Sequence, residues 1–145
     1  MIVLDLNKFE KMKIGKMLDY IIDNNPEYKI ANSETIQNAG QQLLGNDCSV
    51  IAITEQNTNK VVRVVANSDI IKTYIESQKP SQANIMEIAN LIPLIKLTTE
   101  DTIEKLINNV TTNRIRDIVI LNPDGTYHGV INKDKLRSAI DELVD

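Results

Sequence analysis

The stretch that decides the fold is residues 33–44, SETIQNAGQQLL. It opens with Ser33, a residue type that favours the N-cap of a helix. Apolar residues then recur at the spacing of one helix face, at Ile36, Ala39, Leu43 and Leu44. Residues 98–110, TTEDTIEKLINNV, have the same layout, and their helix is predicted to begin at Thr99. The apolar positions that correspond, 67 residues further on, are Ile103, Leu106 and Val110.

Two short apolar runs follow each of these helices. They are residues 50–53 (VIAI) and 61–65 (VVRVV) in the first half, and 118–121 (IVIL) and 127–131 (YHGVI) in the second. Short apolar runs bounded by polar residues are typical of buried strands. The residues Pro123-Asp124-Gly125 predict a tight hairpin in the second half, because Pro, Asp and Gly all favour turns. The polar residues 55–60 predict a looser connection in the first half.

Both halves end in a predicted helix, over residues 69–75 and 135–140. The polar, Pro-containing residues 76–82 between the halves predict a linker. Two pseudosymmetric β-α-β-β-α units result, so the fold class is α/β (α+β). We expect each sheet to pack one face on helices and the other on its twin, with a small ligand in the groove between the two sheets.

Composition restricts the class of protein. The chain has 145 residues, of which 42% are hydrophobic and 25% charged, values close to those of globular domains. No apolar run approaches the roughly 18 residues of a membrane-spanning helix, and the N-terminus lacks the pattern of a signal peptide. We therefore expect a cytoplasmic protein that does not bind a membrane. The net charge of −4 comes from dispersed residues with no basic stripe, which argues against nucleic acid as a partner.

Residues for catalysis or metal binding are scarce. Cys48 and His128 are single residues of their types, 80 positions apart, so neither a disulfide nor a metal site is expected. Cys48 is interpreted as a small buried residue, and His128 as a surface residue of a strand. The sequence contains no nucleophile paired with a base and no glycine loop of the kind that cradles phosphates. We expect no catalytic residues, no required cofactor and no enzyme activity.

This layout resembles a tandem pair of CBS (cystathionine-β-synthase) domains, a Bateman module, from about Ile14 to Ile140. Each repeat is introduced by an apolar lead-in, at residues 14–18 and 85–89. The resemblance implies an N-terminal extension over 1–13, a first repeat over 14–76, a linker over 77–84 and a second repeat over 85–145.

The most diagnostic piece of the family is the junction between a strand and the next helix. It carries Gly, two apolar residues, Ser or Thr, two variable residues and Asp. In the first repeat Arg63 and Ala66 replace the Gly and the hydroxyl residue, while Ser68 and Asp69 remain. The second repeat keeps Gly129 but has Asn132 and Lys135 in place of the hydroxyl residue and the Asp. A lysine cannot accept hydrogen bonds from ribose hydroxyls.

The resemblance implies two ligand grooves, of which the one around Asp69 is the better candidate. Its residues would be Ser49, Val50, Val64, Ala66, Ser68, Asp69, Ile95, Ile115 and Arg116. The weaker groove would be formed by Tyr28, Asp117, Val130, Asn132, Asp134 and Lys135, together with Cys48 and Ser49. Two alternatives stay open: Asp69 caps a helix rather than binding ribose, and Arg116 is a solvated residue at a strand end rather than a phosphate ligand.

The function that the resemblance implies is that of a stand-alone regulatory module. Its ligand would be an adenosyl compound, of the AMP, ADP, ATP, S-adenosylmethionine or NAD type, and its protein target is unknown. The alternative is a protein-interaction or dimerisation module whose nucleotide sites have decayed. The family's modules pair through their helices, so a homodimer is expected, with an interface or a core formed by Ile70, Ile71, Tyr74, Leu136, Ile140 and Leu143.

Overall fold

The computed structural model describes residues 4–45, 49–73, 82–89, 96–113 and 116–144, and the backbone alone at residue 113. The chain forms two compact units. Unit 1 comprises Met1–Asn24, Lys96–Pro123 and His128–Asp145, and unit 2 comprises Asn25–Ile95 and Asp124–Tyr127. The predicted Cys48, Tyr74, Ile95 and Ile115 lie outside the described residues.

Unit 2 contains a three-stranded sheet. Strand β1 (Lys29–Ala31) pairs in parallel with β2 (Val50–Thr54), which pairs antiparallel with β3 (Val61–Ala66). The described part of this unit also has the helices α3 (Ile36–Leu44), α4 (Asn67–Lys72) and α5 (Met86–Ala89), and a short 3-10 helix, Pro26–Tyr28, before β1. Their buried side chains form one core with the sheet: Ile30, Ile36, Ala39, Leu43, Ile51, Ile53, Val65, Ile70, Ile85, Ile88 and Ala89.

Unit 1 contains a two-stranded sheet of β4 (Asp117–Leu121) and β5 (Tyr127–Asn132). Its helices are α1 (Leu6–Glu10), α2 (Ile14–Met17), the 3-10 helix Asp19–Ile21, α6 (Ile103–Asn113) and α7 (Lys133–Leu143). Single bridges extend the sheet on both sides, because Thr98 pairs in parallel with Leu121 and Asp23 pairs antiparallel with Val130. Both β2 and β4 are buried along their whole length, as their apolar runs predicted.

The repeat predicted from the sequence is confirmed at the level of elements, since helix, strand, strand and helix recur in the same order. The predicted helix starts are wrong by three or four residues. Helix α3 begins at Ile36, and its N-cap is Thr35, whose Oγ1 accepts from the Asn38 N–H at 3.1 Å, whereas Ser33 lies in the preceding turn. In the same way α6 begins after Thr102, whose Oγ1 accepts from the Lys105 N–H at 3.3 Å. Leu44, predicted on the apolar stripe, is exposed.

Unit 1 is assembled from the N-terminal lead-in and the second repeat. The Ile14 N–H donates to the Asp101 carbonyl and the Gly15 N–H to the Thr99 carbonyl, both at 2.9 Å. In return, the Ile103 N–H donates to the Met12 carbonyl at 2.9 Å. The first lead-in therefore packs on the repeat that is distant from it in sequence.

Unit 2 has the reciprocal arrangement. The Ile85 N–H donates to the Glu34 carbonyl and the Ile36 N–H to the Ala83 carbonyl, both at 2.9 Å. The second lead-in thus packs on the first repeat. Each compact unit is one repeat combined with the lead-in of the other, so the units differ from the continuous sequence repeats.

The hairpin between β4 and β5 is tight, as its sequence predicted. Gly125 has a positive φ of 91°, and the Asp124 side chain accepts from the Thr126 hydroxyl at 2.6 Å and from the Thr126 N–H at 3.0 Å. These two hydrogen bonds, helped by the nearby Lys60, hold the pKa of Asp124 below its ordinary value. The tip of the hairpin belongs to unit 2, where the Gly125 carbonyl accepts from the Val61 N–H at 2.9 Å.

Gly129 has no room for a side chain. A Cβ at this position would lie 2.7 Å from the Asp23 carbonyl oxygen and would also clash with Ile22 Cγ2. Because backbone cannot move aside cheaply, we predict that Gly129→Ala lowers the free energy of unfolding by about 1–3 kcal/mol in urea denaturation. Gly40→Ala is the control, since its Cβ would meet only Ile70 Cγ2 at 3.7 Å. It should be neutral or stabilise α3 by up to about 1 kcal/mol. Equal stabilities of the two variants would contradict the prediction.

Candidate functional site

The junction between β3 and α4 holds the best-supported group of candidate residues. Asp69 lies in the first turn of α4, and its Oδ2 accepts from the Ala66 N–H at 2.9 Å. This bond fixes the carboxylate and satisfies one backbone donor at the start of α4, and it leaves ribose binding by Asp69 as a prediction. The other oxygen, Oδ1, has no partner in the part of the chain that the structure describes. Ser68, next to it, is exposed, while Asp69 is half-buried.

The start of β2 lies beside this junction. The Asn67 N–H donates to the Ser49 carbonyl at 2.9 Å, and Val50 pairs with Ala66 across the sheet. The structure therefore brings together, within unit 2, six residues predicted for the first groove: Ser49, Val50, Val64, Ala66, Ser68 and Asp69. Arg116 belongs to unit 1, where it is exposed. Its place in a groove with Asp69 stays a prediction.

The junction between β5 and α7 in unit 1 repeats this backbone contact with different side chains. The Lys133 N–H donates to the Arg116 carbonyl at 2.7 Å. Asn132 is the N-cap of α7, because its Oδ1 accepts from the N–H groups of Asp134 at 2.9 Å and Lys135 at 3.3 Å.

Asn132 also stabilises a buried carboxylate. Its Nδ2 donates to Asp117 Oδ1 at 3.0 Å, and Asp117 is only 5% exposed. The side chain at the family's hydroxyl position therefore serves the structure of unit 1 directly. Of the other residues predicted for the weaker groove, Val130 is buried in unit 1, Asp134 and Lys135 are exposed there, and Tyr28 belongs to unit 2.

A cleft of about 270 Å³ lies at the start of α7 in unit 1. Its lining includes the predicted Asp134 and Lys135 and adds five residues: Tyr20, Ile21, Ser138, Ala139 and Glu142. It combines an ammonium group, a hydroxyl, carboxylates and an aromatic ring, since Tyr20 is 62% exposed. Lys135 and Ser138 can donate to a phosphate and the Tyr20 ring can stack on a planar base, whereas the carboxylates of Asp134 and Glu142 repel an anion.

Some of the five additional residues that line this cleft could be predicted from the sequence, and others could not. Ser138 and Glu142 follow Asp134 at intervals of four, which places them on one face of a helix, so helical spacing was an available signal. Tyr20 reaches the cleft through a 3-10 helix, and only the tertiary structure places it there.

His128 holds that 3-10 helix in place. Its Nε2 lies 2.9 Å from Asp19 Oδ1, and its Nδ1 lies 2.9 Å from Asn122 Oδ1. The predicted surface residue is thus half-buried and links β5 to the segment that carries Tyr20.

A larger cleft of about 700 Å³ lies between β1 and α3 in unit 2 and contains none of the predicted site residues. Across it, Gln42 Nε2 donates to the carbonyls of Lys29, at 2.7 Å, and Glu27. These bonds occupy one carbonyl of the 3-10 helix and one of β1. Among the described residues there is no group of three His, Cys, Asp or Glu side chains that could hold a metal ion. None of the helices in that part of the chain is long and apolar enough to span a membrane.

No family model matches the chain, and no curated protein matches it either. Solved structures do match. A CBS domain protein from Pyrobaculum aerophilum, complexed with AMP, is 20% identical, with a TM-score of 0.71 over 91% of this chain and 98% of that one. CbpB in complex with c-di-AMP is 15% identical, with a TM-score of 0.70 over 94% and 89%. The CBS domains of a transcriptional regulator from Streptococcus pneumoniae are 15% identical, with a TM-score of 0.69 over 88% and 98%.

The chain has the fold of a tandem pair of CBS domains. The resemblance inferred from the repeated helices and strands is thereby confirmed. At these identities the likeness is one of fold, so the CBS junctions must be judged on their own residues. The junction in unit 2 has the carboxylate of Asp69, whose Oδ1 has no partner among the described residues. The junction in unit 1 has the amide of Asn132 as its helix cap, followed by the ammonium group of Lys135.

The double role of Asn132 generates a stability prediction. Asn132→Ala removes the cap of α7 and one donor to the buried Asp117, and we expect it to lower the free energy of unfolding by about 1–3 kcal/mol in urea denaturation. Ala66→Ser is the matched control at the other junction. It adds a hydroxyl where α4 has no side-chain cap, so it should stabilise the protein by up to about 1 kcal/mol. A change below about 0.5 kcal/mol for Asn132→Ala would show that the cap is unimportant.

Proposed function

We propose that this protein is a regulatory module that binds an adenosyl compound at the junction before α4. The observation that carries the proposal is the state of the Asp69 carboxylate. One oxygen is fixed by the Ala66 N–H, and the other has no partner among the described residues. An ionised carboxylate oxygen held in this way can accept a hydrogen bond from a ribose hydroxyl. Because the side chain is half-buried, such a bond is less exposed to competition from water than one at the surface.

The solved structures support the same ligand class. One neighbour is complexed with AMP and another with c-di-AMP, and both ligands contain adenosine. Adenosine is thus the chemical group that the ligands of both neighbours share with the ligand class proposed for Asp69.

The second junction is suited to a different part of a nucleotide. Lys135 occupies the position that corresponds to Asp69, and an ammonium group donates to phosphates but cannot accept from a ribose. The adjoining cleft also offers the ring of Tyr20 and the hydroxyl of Ser138. We therefore propose, for each junction taken by itself, that the one in unit 2 accepts from a ribose through Asp69 and that the one in unit 1 contacts a phosphate through Lys135.

The proposed role is regulatory rather than catalytic. A ligand that binds two conformations with different affinities shifts the population towards one of them. A protein target that distinguishes the conformations would then respond to the ligand. We further propose that the module works as a homodimer, as CBS pairs usually do.

A second candidate function is that of an interaction module without a nucleotide. Two substitutions favour it: Ala66 removes the hydroxyl from the first junction, and Lys135 removes the carboxylate from the second. In that case the junctions would only cap their helices.

Thermal unfolding in the presence of AMP, ADP, ATP, c-di-AMP, NAD and S-adenosylmethionine distinguishes the two candidates. A ligand present at about 100 times its Kd stabilises the folded state by about 2.7 kcal/mol, which should raise the midpoint by roughly 5–10 °C. Asp69→Ala should abolish this rise, measured against the variant's own midpoint, because the ribose acceptor is lost.

The matched control is Glu104→Ala, which removes an exposed first-turn carboxylate from α6, outside both junctions. It should keep most of the rise. If no compound shifts the midpoint at millimolar concentration, or if Asp69→Ala shifts as much as the wild type, the adenosyl proposal is wrong and the interaction module takes its place.

A further inference from the structure

The cleft between β1 and α3 in unit 2 contains no residue of either junction and has a charged lining. Its volume of about 700 Å³ lies in the range of clefts that hold small molecules. The charged residues of the lining are Glu27, which is exposed, and Lys29 and Glu34, which are half-buried. None of the three forms a salt bridge within the part of the chain that the structure describes.

The hydrogen bonds within this β1–α3 cleft leave oxygen atoms for a ligand. The side-chain amide of Asn38 donates from Nδ2 to Glu34 Oε2 at 2.7 Å. Asn38 Oδ1 and Glu34 Oε1 have no partner among the described residues, and the same holds for the carboxylate of Glu27. Amide and ionised carboxylate oxygens accept hydrogen bonds and do not donate them. The cleft therefore suits a ligand that donates hydrogen bonds and carries positive charge.

Lys29 leaves the lining with an excess of negative charge. Its ammonium group lies 5.7 Å from the centre of the Tyr127 ring, which is the distance of a cation–π contact, and Tyr127 is not part of the lining. The two carboxylates of Glu27 and Glu34 thus face a single ammonium group in the lining, and that group has an aromatic partner elsewhere in unit 2.

The second repeat carries its own ammonium group at the equivalent place. Asp101 and Lys105 are the counterparts of Glu34 and Asn38, 67 residues further on. Within unit 1, Lys105 Nζ lies 3.3 Å from Asp101 Oδ1 and donates to the Lys96 carbonyl at 3.4 Å. This repeat therefore contains a lysine whose ammonium group neutralises the carboxylate.

Unit 2 has the same acceptors without that cation. The corresponding acceptors are the Glu34 carboxylate and the Lys29 carbonyl, and both receive hydrogen bonds from neutral amides, those of Asn38 and Gln42. A half-buried carboxylate has lost part of its hydration, so a cation beside it is favourable. Glu34 lacks the cationic neighbour that its counterpart has.

We propose that the β1–α3 cleft binds a small aliphatic diamine, one of whose ammonium groups takes the place that Lys105 fills in the second repeat. An ammonium group has three donors and no acceptor, which matches the oxygens of Glu34 and Asn38. With Glu27 as a second carboxylate in the lining, a diamine can form charge-assisted hydrogen bonds through both of its ends. The site is separate from the junctions, so it does not depend on the adenosyl proposal.

The test is a titration of the ¹⁵N-labelled full chain with 1,4-diaminobutane at neutral pH, followed by NMR. The amide signals of Asn38 and Gly45, which both line the cleft, should shift and saturate with a dissociation constant of about 1 mM or lower. The control ligand is 1,4-butanediol, which has the same carbon chain with hydroxyl groups in place of the ammonium groups. It should leave these signals unchanged.

Asn38→Lys gives the cleft the lysine of the second repeat, and it should raise the dissociation constant about tenfold or more, because like charges repel. The variant should stay folded, since lysine is a better helix former than asparagine and pairs with a glutamate four residues before it. Glu34→Gln keeps an acceptor for Asn38 and removes the charge, and it should weaken binding by a similar factor. The matched control is Gln37→Lys, which adds the same charge to the same helix at an exposed residue outside the lining. It should keep the dissociation constant within a factor of about three.

No saturable shift at about 20 mM diamine would overturn the proposal. Equal binding by Asn38→Lys and Gln37→Lys would overturn it as well, and so would equal shifts with 1,4-butanediol, because the ammonium group would then not be recognised. Nα-acetyl-lysine methylamide presents the same group as part of a protein chain. If it bound about tenfold more tightly than the diamine, the cleft would be a site for a lysine of a protein, and the small-amine proposal would be wrong.

Discussion

The exchange of the two lead-in segments is the constraint on which the rest of the structure depends. Residues 12–15 bond to the backbone of residues 99–103, and residues 83–85 bond to residues 34–36. These contacts use backbone groups at the starts of α6 and α3, where a helix has no internal partners for its N–H groups. Each repeat thus obtains from the distant lead-in an acceptor for the first N–H of a helix, α3 in the first repeat and α6 in the second. About 65 residues of one repeat give a small core, and the lead-in of the other repeat enlarges it with residues such as Ile14 and Ile85.

The same plan then positions two junctions that carry different chemistry. In both, the first N–H of the helix bonds to the carbonyl of the residue before the central strand, through Asn67 and Ser49 in unit 2 and through Lys133 and Arg116 in unit 1. This shared backbone places Asp69 and Lys135 at equivalent positions in the first turns of their helices. An acceptor at one position and a cation at the other suit the ribose and the phosphate of a nucleotide, which is why the two junctions need not bind alike.

Much of the fold could be predicted because periodicity is a local property of the sequence. The apolar runs around Ile51 and Ile120 gave buried strands, and Pro123-Asp124-Gly125 gave a tight turn. The start of α3 could not be read in this way, since Ser33 and Thr35 are both good N-caps. In the structure Thr35 is the N-cap, and the next residue, Ile36, donates its N–H to the Ala83 carbonyl. That hydrogen bond is a tertiary contact, which the local sequence does not reveal. For the candidate site, the junction residues followed from the repeat, but Tyr20 and the link from His128 to Asp19 depend on packing between distant segments.

The exchange is tested most directly at Gly15, whose Cβ would lie 2.7 Å from Thr99 Cβ and 3.2 Å from the Thr99 carbonyl oxygen. Gly15→Val should push the first lead-in away from the second repeat. The measurement is native-state hydrogen exchange by mass spectrometry, which resolves local loss of stability along the chain. If the exchange supports unit 1, protection falls in α6 and β4, while α3 and β2 keep theirs. Loss of protection in α3 and β2 with no change in α6 and β4 would contradict the exchange.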